Sequence, residues 1–357
     1  LKRANTVQGR LFRYSFDMLG EGARTQGDAD RYLASYADAI EAIGKGAGAQ
    51  TLPHRPGISV KLSALHPRYE ATSAARVMEE LVPRVLKLAQ AAKRHDLCFT
   101  IDAEEADRRE LSLDVIGAVA ADPSLAGWIG YGLAIQSYQK RAEEVIDWIV
   151  ALAEKLDRVF MVRLVKGAYW DTEIKRAQER GLPDYPLFTR KAMTDLNYVA
   201  CARKMLAARP RLYPQFATHN AVTMATLIEI AGGTEGYEFQ RLHGMGEDAY
   251  KMLLQDLPGA ACRTYAPVGG HRDLLAYLVR RLLENGANSS FVSVAADPAV
   301  PVSSLLARPQ AIIGAPAAAR HPRVPLPDAL YEDRKNSRGA ELGHAASREA
   351  LLASVKE

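Results

Sequence analysis

Apolar and polar residues along the chain follow two spacings in turn, which predicts that strands and helices alternate. Eight short runs rich in β-branched and aromatic residues are separated by segments, such as EEVIDWIVALAEKLDR, with apolar residues three and four positions apart. The strand-like runs are FRYSFDML (12–19), ISVKLS (58–63), CFTIDAE (98–104), WIGYGLAI (128–135), FMVRLVKG (160–167), QFATHN (215–220), YEFQRLHG (237–244) and CRTYAPV (262–268). This pattern predicts an α/β fold, a (βα)8 barrel. A doubly wound open sheet alternates in the same way, but the count of eight favours the barrel.

The composition and the hydrophobic spacing of the chain change after about residue 295. The stretch AADPAVPVSSLLARPQAIIGAPAAARHPRVPLP is rich in Ala and Pro and has no helical or strand period. We therefore expect a barrel domain over residues 1–295 and a linker or surface-hugging extension over residues 296–357.

Composition narrows the function classes without selecting one. The 357 residues are 48% hydrophobic and 25% charged, the balance of a globular protein with a sizeable core. The net charge is +4, but basic and acidic residues are interleaved, so no basic block predicts nucleic-acid binding. Cys98, Cys201 and Cys262 form no CxxC pair, which suits a reducing cytoplasm. No apolar run reaches the roughly 18 residues of a membrane span. These features predict a cytoplasmic protein, and a peripheral membrane contact stays open.

Polar residues recur where the predicted strands end. In a barrel, active-site residues lie at the carboxyl ends of the strands and in the loops that follow. Each has a structural alternative: Lys61 could extend into solvent, Asp102 could cap a helix, and His219 could be a hydrogen-bonded core residue. Together they predict an active site at this end. The residues are Glu21, Lys61, Asp102, Glu104, Glu105, Gln136, Arg163, Lys166, Thr218, His219, Asn220, Leu242, His243 and Tyr265.

The segment VRLVKGAYW (162–170) has the composition of a cofactor site. It combines two cations, a small Gly167-Ala168 turn and an aromatic pair, which suit a phosphate joined to a flat ring system. A large cofactor is one interpretation. The other is a strand that ends in solvated charges, with Tyr169 and Trp170 in the core.

Other motifs carry less weight. HGMGEDA (243–249) fits the G-x-G-x-x-A pattern of a dinucleotide turn, but the next strand-like run does not end in the acid that binds the ribose. SYQK (137–140) fits S-x-x-K without the companion motifs of that class. The eight histidines show no metal-ligand spacing, and we expect no metal site.

A predicted helix from Asp273 to Glu284 places two adjacent arginines on one stripe. At 100° per residue, its leucines cover one broad side, while Arg280, Arg281 and Glu284 share the remaining arc with Tyr277. Glu284 can contact either guanidinium, so one positive charge stays uncompensated. In isolation the stripe is typical of a solvated face. Next to a barrel mouth it becomes a candidate clamp for a substrate carboxylate.

The chain resembles the proline dehydrogenase domain of bacterial proline utilisation A, a bifunctional flavoenzyme. The motifs cover nearly all of residues 1–295: RANTVQGRLFRYSFDMLGEGA, SVKLSALHPRY, FTIDAEEADR, GLAIQSYQKR, VRLVKGAYWDTEIKRAQ, ATHNA, YEFQRLHGMGED and YAPVGGHRDLLAYLVRRLLENGANSSFV. The resemblance implies a distorted (βα)8 barrel with the last helix over its mouth. It also implies FAD, and oxidation of L-proline to Δ1-pyrroline-5-carboxylate on the way to glutamate.

The resemblance also implies roles for individual residues. In the substrate site, Lys61, Arg280 and Arg281 would hold the proline carboxylate, with Glu284 closing the ion-pair network of the last helix and reaching the cofactor. Tyr169, Leu242 and Tyr265 would pack on the pyrrolidine ring, and Asp102 would support Tyr265 or the substrate. Arg163 would lie near flavin N5, and the remaining cofactor residues would be Ala103, Gln136, Lys166, Gly167, Ala168, Trp170, Phe188, Thr189, Thr218 and His219.

Further expectations concern the partners and the extent of the chain. Two arginines and a lysine around the carboxylate would favour loss of the proton from the substrate amine by charge repulsion. The family implies a membrane quinone as electron acceptor. Residues 330–355 resemble the linker to an aldehyde dehydrogenase domain, so we expect a part of a longer enzyme. Two alternatives stay open: a lyase with Lys61 as Schiff-base amine, and a binding module whose arginine stripe grips an acidic partner.

Overall fold

Eight parallel strands form a closed barrel at the centre of the molecule. The computed structural model describes residues 11–270, 274–275, 277–279, 294 and 297–356. Within them the strands pair in chain order, and the eighth pairs with the first. The strands are β1 Arg13–Met18, β2 Gly57–Val60, β3 Cys98–Ile101, β4 Tyr131–Gln136, β5 Phe160–Val165, β6 Leu212–Ala217, β7 Glu238–Leu242 and β8 Cys262–Val268. The predicted (βα)8 barrel is confirmed.

Helices follow the strands and cover the outside of the barrel. They are α1 Gln26–Lys45, α2 Ala74–Arg94, α3 Arg109–Ala120, α4 Ala142–Leu156, α5 Trp170–Glu179, α6 Lys191–Ala207, α7 Ala221–Ala231 and α8 Glu247–Asp256. Local sequence fixes several of their ends. Thr25 and Asp28 form a reciprocal capping box at the start of α1. Gly232 ends α7 in the left-handed conformation, at a φ of 71°.

A buried charged cluster around Glu238 closes the amino-terminal end of the barrel. The Glu238 carboxylate accepts hydrogen bonds from Arg13 at 2.7 Å, Arg263 at 2.5 Å and Gln215 at 2.6 Å. Burial alone would raise the pKa of Glu238, but the two guanidinium groups hold it below its usual value. Because side chains fill this end, a ligand site belongs at the opposite, carboxyl end of the strands.

Several predicted strands run past the observed ones at their carboxyl ends. ISVKLS was expected to be extended to residue 63, but β2 ends at Val60 and Leu62–Ala64 form a 3-10 turn. CFTIDAE likewise stops at Ile101. The physical reason is that the polar residues after these strands use their side chains for hydrogen bonds inside the barrel mouth, where the ladder does not continue. Arg163 and Tyr265, in contrast, lie inside β5 and β8.

The chain after residue 297 crosses the outer side of the barrel near α5 and α6. Its described part contains three α-helices, α9 Val302–Leu305, α10 Pro309–Ile313 and α11 Ala345–Lys356. The hydroxyl of Tyr185 donates to the carbonyl of Pro325 at 2.7 Å, and Gly339 donates to Gly181 at 3.0 Å. The division into two domains at residue 295 stays a prediction. No helix in the described part of the chain is long and apolar enough to cross a bilayer.

Candidate active site

Three residues that the sequence placed at the barrel mouth converge on the carboxylate of a fourth, Asp102. Lys61 follows β2, Asp102 follows β3, and Arg163 and Tyr265 point inward from β5 and β8. One oxygen of Asp102 accepts from Arg163 at 2.7 Å; the other accepts from the Tyr265 hydroxyl at 2.8 Å and from Lys61 Nζ at 3.1 Å. Asp102 is therefore the centre of the cluster and does not cap a helix.

Asp17 is a member of this cluster that the sequence analysis did not identify. Its carboxylate, on β1, accepts from Lys61 Nζ at 2.8 Å, and both side chains are buried. Burial alone would lower the pKa of Lys61, but Asp17, Tyr265 and Asp102 raise it well above its usual value. The available signal was a single acidic residue within the apolar run FRYSFDML, because a strand tolerates a buried carboxylate only with a partner.

The cluster is close to neutral in charge. Two cations face two carboxylates: Lys61 pairs with both Asp17 and Asp102, and Arg163 pairs with Asp102. Burial alone would raise the pKa of Asp102, but the positive charges of Lys61 and Arg163 lower it by more than burial raises it. The pKa of Asp102 therefore lies below the usual value. Burial raises the pKa of Asp17. The charge of Lys61 lowers it by less, so the pKa of Asp17 lies above the usual value. Lys61 therefore adds less repulsion on a substrate amine than its charge alone suggests.

Tyr265 is held in place both through its hydroxyl and through the face of its ring. Its hydroxyl donates to Asp102, and the guanidinium of Arg163 lies 4.8 Å from the ring centroid. Arg163 is fixed in turn by the hydroxyl of Ser59, at 2.8 Å. Burial and the charge of Asp102 raise the pKa of Tyr265 well above its usual value. Tyr265 is thus a neutral phenol with a fixed ring.

The turn after β5 needs glycine at position 167. Gly167 has a φ of 133°, and an added Cβ would lie 2.5 Å from the ring of Tyr138. After the turn, the indole of Trp170 donates to the carbonyl of Phe188 at 3.0 Å and packs on a small apolar cluster. Lys166 pairs with Asp195 on α6. The turn and the segment around Phe188 are therefore joined, and the cofactor interpretation stays a prediction.

The ends of β6 and β7 are joined through His219. Its Nε2 accepts from the amide of Leu242 at 3.0 Å, so the ring proton is assigned to Nδ1. The neighbouring Thr218 is buried, and Asn220 caps α7. Leu242 is paired with Tyr265 in the sheet register. These contacts make His219 a positioned residue at the barrel mouth.

Gln136 and Ala103 lie at the ends of neighbouring strands. The Gln136 amide is 3.5 Å from the carbonyl of Ala103, and its oxygen accepts from Gln139 at 2.7 Å. Glu104 and Glu105, in contrast, turn away from the cluster. Glu104 accepts from the amide of Ser63 and pairs with Arg108, which also holds Glu105.

Several buried polar atoms inside the barrel have no hydrogen-bond partner among the described residues. They are Arg163 Nε, Gln215 Oε1 and both amide atoms of Gln240. The sequence analysis overlooked Gln215 and Gln240, although each is an inward-facing polar residue in a strand. Unpartnered buried groups are costly and call for a ligand or water. The polar edge of a flavin ring, with its carbonyl and N–H groups, fits this requirement for Arg163 Nε and Gln240, whereas Gln215 belongs to the Glu238 cluster at the other end of the barrel.

Glu173, on α5, is a buried carboxyl group with an unusual pKa. Its oxygen accepts from the amide of Ala106 at 2.6 Å. Burial raises its pKa to about 7; the Ala106 amide opposes this, while Asp107 and Glu105 add to it. The pKa in the fold thus exceeds the usual value of 4.5. Its contribution to stability is complete below the usual value and is lost as the pH rises through about 7.

Replacing Glu173 by Gln should therefore flatten the dependence of stability on pH. The variant keeps an oxygen for the Ala106 amide but carries no charge, so it avoids a cost on the order of 3 kcal/mol at pH 8. Urea unfolding at pH 5 and pH 8 measures the difference. Glu179→Gln on the exposed side of α5 is the control. The prediction is contradicted if the free energy of unfolding changes equally between pH 5 and pH 8 in the wild type and in Glu173→Gln.

The arginine stripe lies outside the described residues. Residues 274–275 and 277–279 are helical, in agreement with the predicted helix from Asp273 to Glu284. Arg280, Arg281 and Glu284 themselves are not described. Their role as a carboxylate clamp stays a prediction.

The fold and the site define a class: parallel (βα)8 barrels with a buried charged cluster at the carboxyl ends of the strands. The family model described as proline dehydrogenase matches residues 1–294. The chain belongs to the proline dehydrogenase family.

Proteins that are similar to nearly the whole of this chain are longer than it. The bifunctional protein PutA of Rhizobium meliloti is 51% identical over 368 residues, which cover 100% of this chain and 29% of that protein. Its namesake in Escherichia coli (strain K12) is 50% identical over 358 residues, 96% of this chain and 27% of that protein. The chain thus spans less than a third of the length of these relatives.

Solved structures show the same likeness. A mutant of proline utilization A from Bradyrhizobium japonicum is 70% identical, with a TM-score of 0.94 over 96% of this chain and 36% of that one. Proline utilization A from Bdellovibrio bacteriovorus, inactivated by N-propargylglycine, is 28% identical, with a TM-score of 0.86 over 97% of this chain and 37% of that one.

Proposed function

We propose that this chain carries an FAD-dependent proline dehydrogenase activity that oxidises L-proline to Δ1-pyrroline-5-carboxylate. The observation that supports the proposal is the cluster of Lys61, Asp102, Arg163 and Tyr265 in a chain of the proline dehydrogenase family. The residues proposed to hold the cofactor are Ala103, Gln136, Arg163, Lys166, Gly167, Ala168, Trp170, Phe188, Thr189, Thr218, His219 and Glu284.

The proposed substrate residues form two groups: cations that contact the carboxylate of proline, and apolar side chains that contact its ring. Arg280 and Arg281 supply the planar forks that suit a carboxylate, and Lys61 adds a cation held by two carboxylates. Leu242, Tyr169 and Tyr265 provide apolar surface for the pyrrolidine ring. The hydroxyl of Tyr265 is held by Asp102, so the ring is unable to swing aside for a bulkier substrate such as 4-hydroxyproline.

The protein's part in the reaction is to position the substrate and to exclude water. The chemistry that bound FAD supplies is the acceptance of a hydride from C5 of proline at flavin N5. Arg163 lies at the centre of the barrel mouth with its Nε unpartnered among the described residues, and is proposed to face that atom. Asp102 keeps Arg163, Lys61 and Tyr265 in fixed orientations. The substrate amine is proposed to lose its proton to water as it enters the site, before the hydride transfer, since both carboxylates of the described cluster are paired with cations.

A Schiff-base lyase is not supported by the state of Lys61. An amine nucleophile requires a lowered pKa, whereas Asp17 and Asp102 raise the pKa of Lys61 against the effect of burial. We retain a quinone as the proposed electron acceptor, reached through a peripheral membrane contact from the cytoplasm.

The visible spectrum of the purified protein tests the proposal. We expect flavin absorption that anaerobic L-proline bleaches, and slower bleaching by 4-hydroxyproline. A colourless protein that does not take up added FAD would refute the cofactor assignment. A yellow protein that proline leaves unbleached would refute the substrate assignment.

Replacing Arg280 or Arg281 by Met is expected to raise the KM for proline at least tenfold while FAD stays bound. The lost contact is mainly to the substrate carboxylate, and a bidentate charged pair contributes about 1.5–3 kcal/mol. Steady-state kinetics with flavin absorbance as the measure of cofactor content provides the test. Unchanged proline affinity in both variants would rule out the clamp.

A further inference from the structure

The segment after the barrel touches the loop between α5 and α6 at several specific points. This loop, residues 182–190, is named here the cofactor loop, because it carries Phe188 and Thr189. On its inner side, the Phe188 amide donates to the carbonyl of Tyr138 at 2.8 Å, and the Lys140 amide donates to the carbonyl of Pro186 at 3.1 Å. The inner side is therefore fixed to the chain that follows β4.

The outer side of the cofactor loop is held by residues 309–325, named here the strap. Arg190 donates to three strap carbonyls: Ala318 at 2.5 Å, Ile312 at 2.8 Å and Ile313 at 3.4 Å. Two of these carbonyls belong to the last turn of α10. There the helix supplies no backbone amide as a hydrogen-bond donor, and the negative end of the helix dipole attracts a cation. One guanidinium on the barrel thus caps a helix of the strap.

A second contact reaches the proposed cofactor residue Thr189 directly. The backbone amide of His321 donates to Thr189 Oγ1 at 3.0 Å, and Thr189 is buried. A threonine hydroxyl has one proton to donate and accepts through its lone pairs. Because the His321 amide occupies an acceptor direction, the hydroxyl proton is turned away from the strap and is available as a donor to a ligand.

We propose that the strap is a built part of the cofactor pocket, with Arg190 as the positioning residue that keeps it in place. Arg190 and the His321 amide hold the cofactor loop from outside, and so fix the orientation of Thr189 and of the Phe188 carbonyl that binds Trp170. This inference rests on the proposed function, since it assigns those residues to FAD. Its effect is on FAD affinity and not on the chemistry of proline.

The test compares two substitutions at position 321 that differ in one backbone hydrogen. His321→Ala keeps the amide proton, whereas His321→Pro removes it, and both lose the imidazole. Arg320 has a ψ of 148°, a conformation that suits the residue before a proline. FAD is titrated into the apo form of the full chain, and binding is followed by flavin fluorescence.

We expect His321→Ala to bind FAD like the wild type and His321→Pro to bind it roughly tenfold more weakly, the factor for one lost hydrogen bond. Arg190→Gln should weaken binding by at least as much, and limited proteolysis should then cleave within residues 309–325. Arg323→Gln changes an exposed side chain of the strap and leaves its contacts with the cofactor loop in place, and serves as the control. The apo forms of the two position-321 variants should melt at the same temperature.

Each outcome decides the matter. Equal FAD affinity for the two position-321 variants would overturn the inference and leave the proposed function intact. A wild type that takes up no FAD would overturn both. If Arg190→Gln fails to fold, the position-321 pair still decides.

Discussion

Replacing Asp102 by Asn is expected to lower kcat/KM for proline by on the order of 100-fold, about 3 kcal/mol of transition-state stabilisation, while FAD stays bound. Asp102 accepts hydrogen bonds from Arg163, Tyr265 and Lys61 through its two oxygens. In either orientation the Asn amide places an NH2 group against a donor. The variant therefore repels at least one of the three residues that the carboxylate holds.

The charge of the site changes together with its geometry. The four buried charges are balanced in the wild type, and the variant leaves one cation in excess. A ring of Tyr265 released from Asp102 loses its fixed position against the pyrrolidine ring. We expect kcat to fall with little change in the affinity for FAD, which separates loss of positioning from general unfolding.

Asp147→Asn is the matched control for this substitution. Asp147 is an exposed aspartate that pairs with Lys204 at 2.7 Å, and its neutralisation should leave kinetics and stability nearly unchanged. Full activity of Asp102→Asn would show that the cluster has no catalytic role. Equal losses of activity and of FAD would show that Asp102 acts only on the fold.

The barrel was predictable because its signals are local. A strand-like run such as CRTYAPV matches the observed β8 at both ends, since its residues continue the ladder throughout. The ends of β2 and β3 were predicted too late, because Lys61 and Asp102 look like strand residues in sequence. Whether a polar residue continues the ladder depends on its side-chain partner, and that partner lies on another strand.

The pairings within the site were not predictable for the same reason. Asp102 meets Lys61 from the neighbouring strand, but Arg163 and Tyr265 come from β5 and β8, across the barrel. Which inward-facing side chains meet depends on the tilt and stagger of all eight strands. Hydrophobic spacing carries no such information. Asp17 therefore remained the one acidic residue of its strand-like run until the fold placed its carboxylate beside Lys61.

The strongest effect on stability is expected from replacing Lys61 by Met. Lys61 separates the buried carboxylates of Asp17 and Asp102, at 2.8 Å and 3.1 Å from Nζ. Removal of one partner from a buried ion pair costs about 3–5 kcal/mol, because a buried charge is left uncompensated. Methionine keeps most of the side-chain volume, so the loss of stability is caused by the missing charge and not by a cavity.

The loss should depend on pH, with a sign that follows from the carboxylates. Burial already raises the pKa of Asp17, and without Lys61 the charge of Asp102 raises it further. A carboxyl group whose pKa is raised in the fold contributes its stability below its usual pKa, and loses it as the pH rises through the raised value. The variant is therefore expected to be closer to the wild type at pH 5 than at pH 8.

A second substitution separates this electrostatic explanation from a packing defect. Asp17→Asn added to Lys61→Met replaces the carboxyl proton by a permanent amide, and should restore much of the stability at pH 8 and remove the added dependence on pH. Lys204→Met, which removes a partly exposed ion pair, is the control. Unfolding by urea at both pH values measures all four proteins. A double variant no more stable than Lys61→Met alone would show that repulsion between Asp17 and Asp102 is not what Lys61 relieves.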